Sequence, residues 1–401
     1  MINTIEPSAA TNVIPSVPVL QSVSNNGKKT KTITLCMIVK DEAKVIERCL
    51  ASVLPIIDRW VIVDTGSTDG TQEKIRKFFE NVGIPGELHE RPWKNFGHNR
   101  SEALELARDK ADYSYMIDAD EVLVFEPGFD PDAFKASLNA DLYNIFATYG
   151  GTKYHRPQMT SNAKRFYYRG VLHEYVDCHD EIQTRDFARG FHNTPIQDGN
   201  RSSQPQKYER DANVFEEALK GEVDPKDFNR YHFYLAQSYR DSHQWEKSLA
   251  AYMKRAELGG WNEEVFYSLY QAGRIMEILN KNVDDIIKVY FNAYQAAPYR
   301  AESLWAAARL CRINIRFDQA YTFAKQGLKC RCPEAALFIA APVYEWMLLD
   351  EFAIASYWTG HFKESRQASI ALLQSGKYPP DQKERIEANL KFATEELMNG
   401  G

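Results

Sequence analysis

The sequence predicts an α/β domain with a mainly parallel sheet, followed by an all-α domain of stacked helical hairpins. Three observations carry that division. Short apolar runs rich in Val and Ile alternate with helix-length segments from about residue 32 to residue 200, the pattern of βαβ units. Three of those runs end in carboxylates: 33–39 into Lys40-Asp41-Glu42, 60–63 into Asp64, and 113–117 into Asp118-Ala119-Asp120-Glu121. From about Lys207 the strand signal disappears, and a chain rich in Ala, Leu, Tyr and Glu takes up helical spacing.

In chain order, 33–39 reads as a strand buried on both faces. Residues 43–53 read as a helix with Asp41 near its start and Pro55 past its end. The next strand is 60–63. Asp64-Thr-Gly-Ser-Thr-Asp-Gly70 turns into a helix over 71–81, with Ile75, Phe78 and Phe79 on one face. A further helix is expected over 99–110, then the strand 113–117. After Asp120 the signal weakens to short strands over 141–149, 164–168 and 171–176.

In an open α/β sheet, ligands bind outside the carboxyl ends of the strands. Carboxylates at three such ends therefore meet in one crevice, which calls for a cation to hold an anionic ligand. The Asp64–Gly70 turn offers backbone N–H groups and a helix N-terminus to phosphate or ribose oxygens. It has neither the lysine of a P-loop nor a GxGxxG fingerprint. Asp118 and Asp120, one residue apart just past a buried strand, can share a hard divalent ion and a sugar hydroxyl.

Residues 32–121 resemble the nucleotide-sugar-binding half of family 2 glycosyltransferases. The motifs are Cys36-Met-Ile-Val-Lys-Asp-Glu42, Val63-Asp-Thr-Gly-Ser-Thr-Asp-Gly-Thr71, Asp118-Ala-Asp120 and Asn95-Phe-Gly-His-Asn-Arg-Ser101. The resemblance implies a GT-A fold, Rossmann-like with a mainly parallel sheet, and an inverting, metal-dependent hexosyltransferase. It implies that Asp64 accepts from the nucleotide base, Asp118 binds ribose or donor sugar, and Asp120 ligates Mn²⁺ or Mg²⁺ on the diphosphate. Lys40 and Glu42 would line the base pocket, and Asn99 lies in the donor-contacting segment.

An inverting transfer needs a base for the acceptor proton. By the same resemblance an acidic residue of Gly170-Val-Leu-His-Glu-Tyr-Val-Asp177 takes that part: Glu174, with Asp177 in reserve. His192 is either a further metal ligand or a histidine hydrogen-bonded in a loop. A zinc-protease reading of His173-Glu174 fails because Asp177 stands where HExxH needs its second histidine. Trp93 and His98 are placed in or over the donor cleft. Tyr149-Gly-Gly151 and the stretch 155–162 are expected to form a flexible lid.

In the second half Leu235–Tyr239 and Tyr270–Arg274 lie 35 residues apart, close to the roughly 34-residue tetratricopeptide period; Ala308–Arg312 follows 38 residues later, and Ile354–Trp358 reads as a further member. Each is followed by a turn and a second helix, over 244–257, 283–296, 317–328 and 361–373. Three or four hairpins would stack as a short solenoid of the TPR type, serving acceptor binding or homodimerisation. The expected division is a disordered leader 1–30, a GT-A domain 31–205 and a TPR-like domain 206–401.

The net charge of −6 argues against a general nucleic-acid binder. No run approaches the roughly 18–20 apolar residues of a membrane span. The first 30 residues lack a basic start, and Pro15 and Pro18 interrupt their apolar patch. Six scattered cysteines without a CxxC pair suggest reduced thiols in a cytoplasmic protein. The expected activity is transfer of a sugar from a nucleotide donor, UDP-sugar favoured, to a protein, peptide or glycan acceptor. The alternative is an inactive nucleotide-binding scaffold that works through its repeats. A nucleotidyltransferase would need a glycine-rich loop where Lys40-Asp-Glu-Ala43 stands.

Overall fold

The computed structural model describes residues 30–149, 152–200, 206–333 and 336–399. Most of the expected leader, and Gly150 and Gly151 of the expected lid, lie outside the described residues.

The first half runs β1 (Ile33–Val39), α1 (Ile46–Val53), β2 (Arg59–Asp64), α2 (Thr71–Val82), β3 (Gly86–Glu90), α3 (Phe96–Ala107), β4 (Tyr113–Met116), β5 (Glu121–Phe125), α4 (Pro131–Ser137), β6 (Leu142–Tyr149), β7 (Thr152–Ser161), β8 (Phe166–Arg169), β9 (Tyr175–Cys178) and β10 (Arg185–Pro195). The described residues form an eight-stranded sheet ordered β3-β2-β1-β4-β7-β6-β10-β5, beside a two-stranded β8–β9 hairpin. Strands β3, β2, β1 and β4 are parallel; β7 runs antiparallel to β4 and β6, and β10 antiparallel to β5. The chain builds outward from β1 through β2 to β3, then returns to the other side of β1 as β4. The β1–β4 boundary is therefore the switch point at which such sheets open a crevice.

Both faces of this sheet are covered, which is why its central strands read as unbroken apolar runs. Ile33, Leu35, Met37 and Ile62 pack with Ile46, Leu50 and Ile75 on one face. Cys36, Val61, Val63 and Met116 pack with Ala103, Leu104, Ala107 and Phe166 on the other. Helix α2 starts after Gly70 (φ 90) and stops at Gly83 (φ 73), whose N–H returns to the Phe79 carbonyl, a left-handed glycine cap. Helix α3 begins three residues before the expected start because the Asn95 side chain accepts from His98 N at 2.8 Å and caps it.

The stretch 155–162 is not a lid. Most of it belongs to β7, in register with β6 from Tyr149 to Leu142 and with β4 at its far end. Strands β3, β5 and β10 were also unexpected. Gly-Glu-Leu-His-Glu is too polar to read as a strand, and β10 carries Arg185, Asp186, Arg189 and Gly190 among its apolar residues.

The second half is helical: α5 (Lys207–Lys220), α6 (Pro225–Asp241), α7 (Trp245–Glu257), α8 (Asn262–Ile278), α9 (Val283–Ala296), α10 (Glu302–Ile313), α11 (Phe317–Gly327), α12 (Leu348–Trp358), α13 (Phe362–Ser375) and α14 (Lys383–Asn399). All four repeated anchors fall in the first helix of a hairpin: α6–α7, α8–α9, α10–α11 and α12–α13. They carry the small residues that let helices close up. A Cβ on Gly273 would lie 2.4 Å from the Tyr290 ring of the partner helix. The link from α11 to α12 is longer than the others and folds back along the array. Buried Arg300 joins Glu263 and Glu302 there and donates to the Leu337 carbonyl at 3.0 Å.

The halves meet at the β8–β9 hairpin, which also packs on α3. Gly97 makes that approach possible, because a Cβ there would stand 2.3 Å from the Gly170 carbonyl oxygen. Gly97→Ala is a sharp test, since alanine is the better helix former by about 1 kcal/mol. The expected result is the opposite sign, a net loss of about 1–3 kcal/mol from overpacking, read as a lower urea midpoint.

Candidate active site

The floor of the crevice is made by two loops laced together. Asp41, at φ 55, accepts from Thr68 N at 2.7 Å, while its own N–H donates to Ser67 Oγ at 2.9 Å. Glu42 N donates to Thr71 Oγ1 at 2.8 Å and Ala43 N to Asp69 Oδ2 at 2.9 Å. Burial lifts the Asp69 carboxyl, but bonds from Thr71 and Ala43 more than offset it, so it stays ionised below its ordinary range. The β1–α1 and β2–α2 loops thus behave as one piece.

Asp64 closes β2 and is fully buried. Its Oδ1 accepts from Gly66 N (2.9 Å), Ser67 N (2.8 Å) and Gln72 Nε2 (3.0 Å). Its Oδ2 is buried with no hydrogen-bond partner among the described residues. A buried carboxylate oxygen without a donor is costly, and a ligand N–H would satisfy it.

Asp118 and Asp120 follow β4. Burial and the Asp118 charge push the Asp120 carboxyl above its ordinary value, although Gly199 N–H donates to it. Glu42, across the crevice, is pushed up to about 7 chiefly by burial, with Asp120 and Asp118 adding to the rise; Asn200 N donates to its Oε2 at 3.2 Å. The segment after β10 therefore borders the acidic cluster, and Arg48 fixes it by two bonds to Asp198 at 2.8 and 2.7 Å. Beneath the pair lies a buried polar network. Tyr115 OH donates to Asn193 Oδ1 (2.8 Å), Asn193 Nδ2 to Gln158 Oε1 (2.8 Å), and Arg156 pairs with Glu121.

Arg100 organises the other wall. It pairs with Asp118 through Nη2 and stands 2.8 Å from Glu174 Oε1 through Nε. The second contact is an ion pair rather than an aligned hydrogen bond. Burial opposes the charge on the guanidinium, but Asp118, Glu174 and Tyr168 outweigh it and hold Arg100 firmly protonated. One cation from α3 thus joins the carboxylate after β4 to the carboxylate between β8 and β9.

The expected site residues fall into two groups. Asp64, Asp118, Asp120, Glu42 and Glu174 line or border this crevice, with Lys40 exposed at its edge. Three others are placed elsewhere. Asp177 lies on the opposite face of the hairpin, where it accepts from Tyr167 OH at 3.1 Å and faces Arg169 at 3.7 Å. Phe166, Tyr168 and Val176 occupy the face toward the sheet. Asn99 is fully buried, with Oδ1 accepting from Lys94 N (3.0 Å) and Nδ2 donating to the Pro92 carbonyl (3.2 Å), so it braces a loop. His192 alternates with Phe191 and Asn193, which face the core, and shares its own face with the exposed Val124. Trp93 packs edge-on against Phe96, and His98 opens onto a surface groove with Glu102 and Arg165.

Arg100, Arg156 and Asn193 were not expected. Arg100 does lie within the Asn95–Ser101 motif, so the segment was noticed but not the residue that matters in it. Among the described residues, no three His, Cys, Asp or Glu side chains gather as a metal site. An ion here would take carboxylate oxygen from the protein and the remainder from a bound ligand, as Mg²⁺ does on phosphates. All six cysteines are free thiols. No described helix is long and apolar enough to cross a membrane.

A glycosyl transferase family 2 model matches residues 34–187. This segment is similar to family 2 glycosyltransferase domains. The match ends within β10 and so takes in the motifs, the acidic pair and the Glu174 turn. Among curated relatives, a TPR repeat-containing protein of Synechococcus elongatus is 35% identical over 25% of this chain and 23% of its own length. The SPbeta prophage-derived glycosyltransferase SunS of Bacillus subtilis is 37% identical over 23% of this chain and 21% of its own. An uncharacterized glycosyltransferase of Rickettsia bellii is 34% identical over 28% of this chain and 36% of its own. The chain thus spans well under half the length of these relatives. Among solved structures, a tetratricopeptide repeat protein from Parabacteroides merdae aligns with 48% of this chain and 72% of that one, at 12% identity and a TM-score of 0.36. At that score the likeness carries no argument, and the helical half stands on its own geometry.

Proposed function

We propose that the chain moves a sugar from a nucleotide-sugar donor, UDP-sugar favoured, to an acceptor hydroxyl with inversion, and that its repeats engage a protein, peptide or glycan acceptor or a second copy. One observation carries the reading. Arg100 couples Asp118, at the carboxyl end of β4, to Glu174, so a donor-side and an acceptor-side carboxylate face one crevice at the switch point of the sheet.

In this reading the unpaired Oδ2 of Asp64 accepts an N–H of the nucleotide base, and the Asp118 carboxylate receives ribose or donor-sugar hydroxyls. The acidic cluster fits a divalent ion, since burial and mutual repulsion hold Asp120 and Glu42 high and a cation relieves both. Asp120 would hold Mn²⁺ or Mg²⁺, which would supply positive charge toward the donor diphosphate. Glu174 accepts the acceptor proton while the acceptor oxygen forms its bond to the anomeric carbon and the sugar–phosphate bond breaks. Arg100 holds Glu174 and Asp118 in place from one side chain.

The deciding experiment follows release of nucleoside diphosphate from a panel of nucleotide sugars with Mn²⁺ or Mg²⁺. One donor is expected to turn over in the wild type and not in Asp120→Ala. The variant should also lose metal-dependent binding of the bare nucleoside diphosphate. Inert donors together with no metal-dependent binding would overturn the reading.

A further inference from the structure

We propose that the helical half is part of the active site: α6 sets the conformation of the turn that carries Glu174, and Arg230 and Tyr234 are positioning residues. The inference rests on the sugar-transfer reading above and adds what makes its base competent. Glu174 ends the turn 170–174 between β8 and β9. Within it Gly170 has φ 103 and His173 has φ 51. The residue just before the carboxylate thus occupies the left-handed region, which a side chain enters at a cost and keeps only when its surroundings impose it.

What imposes it comes from the other half of the chain. Arg230 donates to the His173 carbonyl through Nη2 at 2.8 Å and Nε at 3.3 Å. Its guanidinium lies over the rings of Tyr175 and Tyr234, 5.0 and 4.8 Å from their centroids. The His173 ring stacks on Tyr234 at 4.1 Å, 10° from parallel. The flanking residues are held by the same helix. Val171 N donates to Tyr231 OH at 3.1 Å, Tyr175 OH to Asp227 Oδ1 at 3.1 Å, and Arg169 Nε to Asp227 Oδ2 at 2.8 Å. Residues 169, 171, 173 and 175 therefore all bind α6, while Glu174 among them reaches the other way, to Arg100. The base sits on a surface gripped from behind by the first repeat.

Displacing a reacting group by about 1 Å costs on the order of 100-fold in rate. With the full chain and a donor that the wild type turns over, Arg230→Ala, Tyr234→Leu and His173→Ala are each expected to lower kcat roughly 10–100-fold. The donor KM and the Kd of the bare nucleoside diphosphate should stay put, because Asp64 and Asp120 belong to other loops. His173→Gly deletes the same ring as His173→Ala, yet glycine takes φ 51 freely, so it should keep more of kcat. If Arg230→Ala fails to fold, Arg230→Lys and the two His173 variants decide. Equal kcat in His173→Gly and His173→Ala, unchanged kcat in Arg230→Ala, or a matching rise in KM and Kd would overturn the proposal. A wild type that turns over no donor would instead sink the transfer reading, and this inference with it.

Discussion

Glu174→Gln is expected to cut kcat by about 10²–10⁴-fold, the usual contribution of a positioned general base, while leaving nucleoside diphosphate binding intact. Glutamine has the same length, and its side-chain oxygen can still face Arg100 Nε, which stands 2.8 Å from Glu174 Oε1. On the proposed function the variant therefore removes the proton acceptor without emptying the site. Asp177→Asn, on the far face of the hairpin beside Tyr167 and Arg169, should change kcat far less. The measurement is initial-rate kinetics on the turned-over donor, with titration calorimetry for the diphosphate. Comparable losses in both variants would remove Glu174 from its role.

Arg100→Met is expected to damage both folding and turnover. The Arg100 side chain is 10% exposed and that of Glu174 13%, so deletion removes the cation that stands between two carboxylates. Removing one partner of a buried pair costs about 3–5 kcal/mol. Asp118 keeps 36% of its side-chain exposure, so water screens part of the loss, and about 2–3 kcal/mol is expected from urea unfolding. Arg100→Lys should not rescue turnover. A planar guanidinium reaches Asp118 and Glu174 through different nitrogens, whereas an ammonium is a single point charge.

The parts of the molecule legible in the sequence were those that depend on local pattern. Strands β1, β2 and β4 announce themselves because burial on both faces demands continuous apolar residues, and Asp64 and Asp118 follow directly from where those strands stop. The four hairpins are legible for the same reason, as a repeated helical pattern with small residues where helices touch. Strands β7 and β10 are a different case: Gln158 and Asn193 are polar in sequence and become interior because they bond to each other and Asn193 also accepts from Tyr115, while Arg156 beside them pairs with buried Glu121. Arg100 looked like any helical arginine until the fold brought Asp118 and Glu174 to it. That Glu174 and Asp177 fall on opposite faces follows from two-residue alternation, but the positive φ at His173, which shapes the turn carrying Glu174, does not. Nothing in the residue type signals that bend, because the helix that holds it begins some fifty residues later.

That last separation has a consequence for the chain as it is made. The sheet cannot close until Pro195 is available to pair with Glu121, and the turn around Glu174 is not seated until α6, ending at Asp241, has formed. A growing polypeptide folds from its N-terminal end as it leaves the ribosome. On the proposed function, the donor side of the crevice, complete once residues 198–200 are in place, is therefore ready before the turn of Glu174 is. In that reading, a nascent or prematurely terminated chain lacking the first repeat would hold a nucleotide sugar without passing the sugar on.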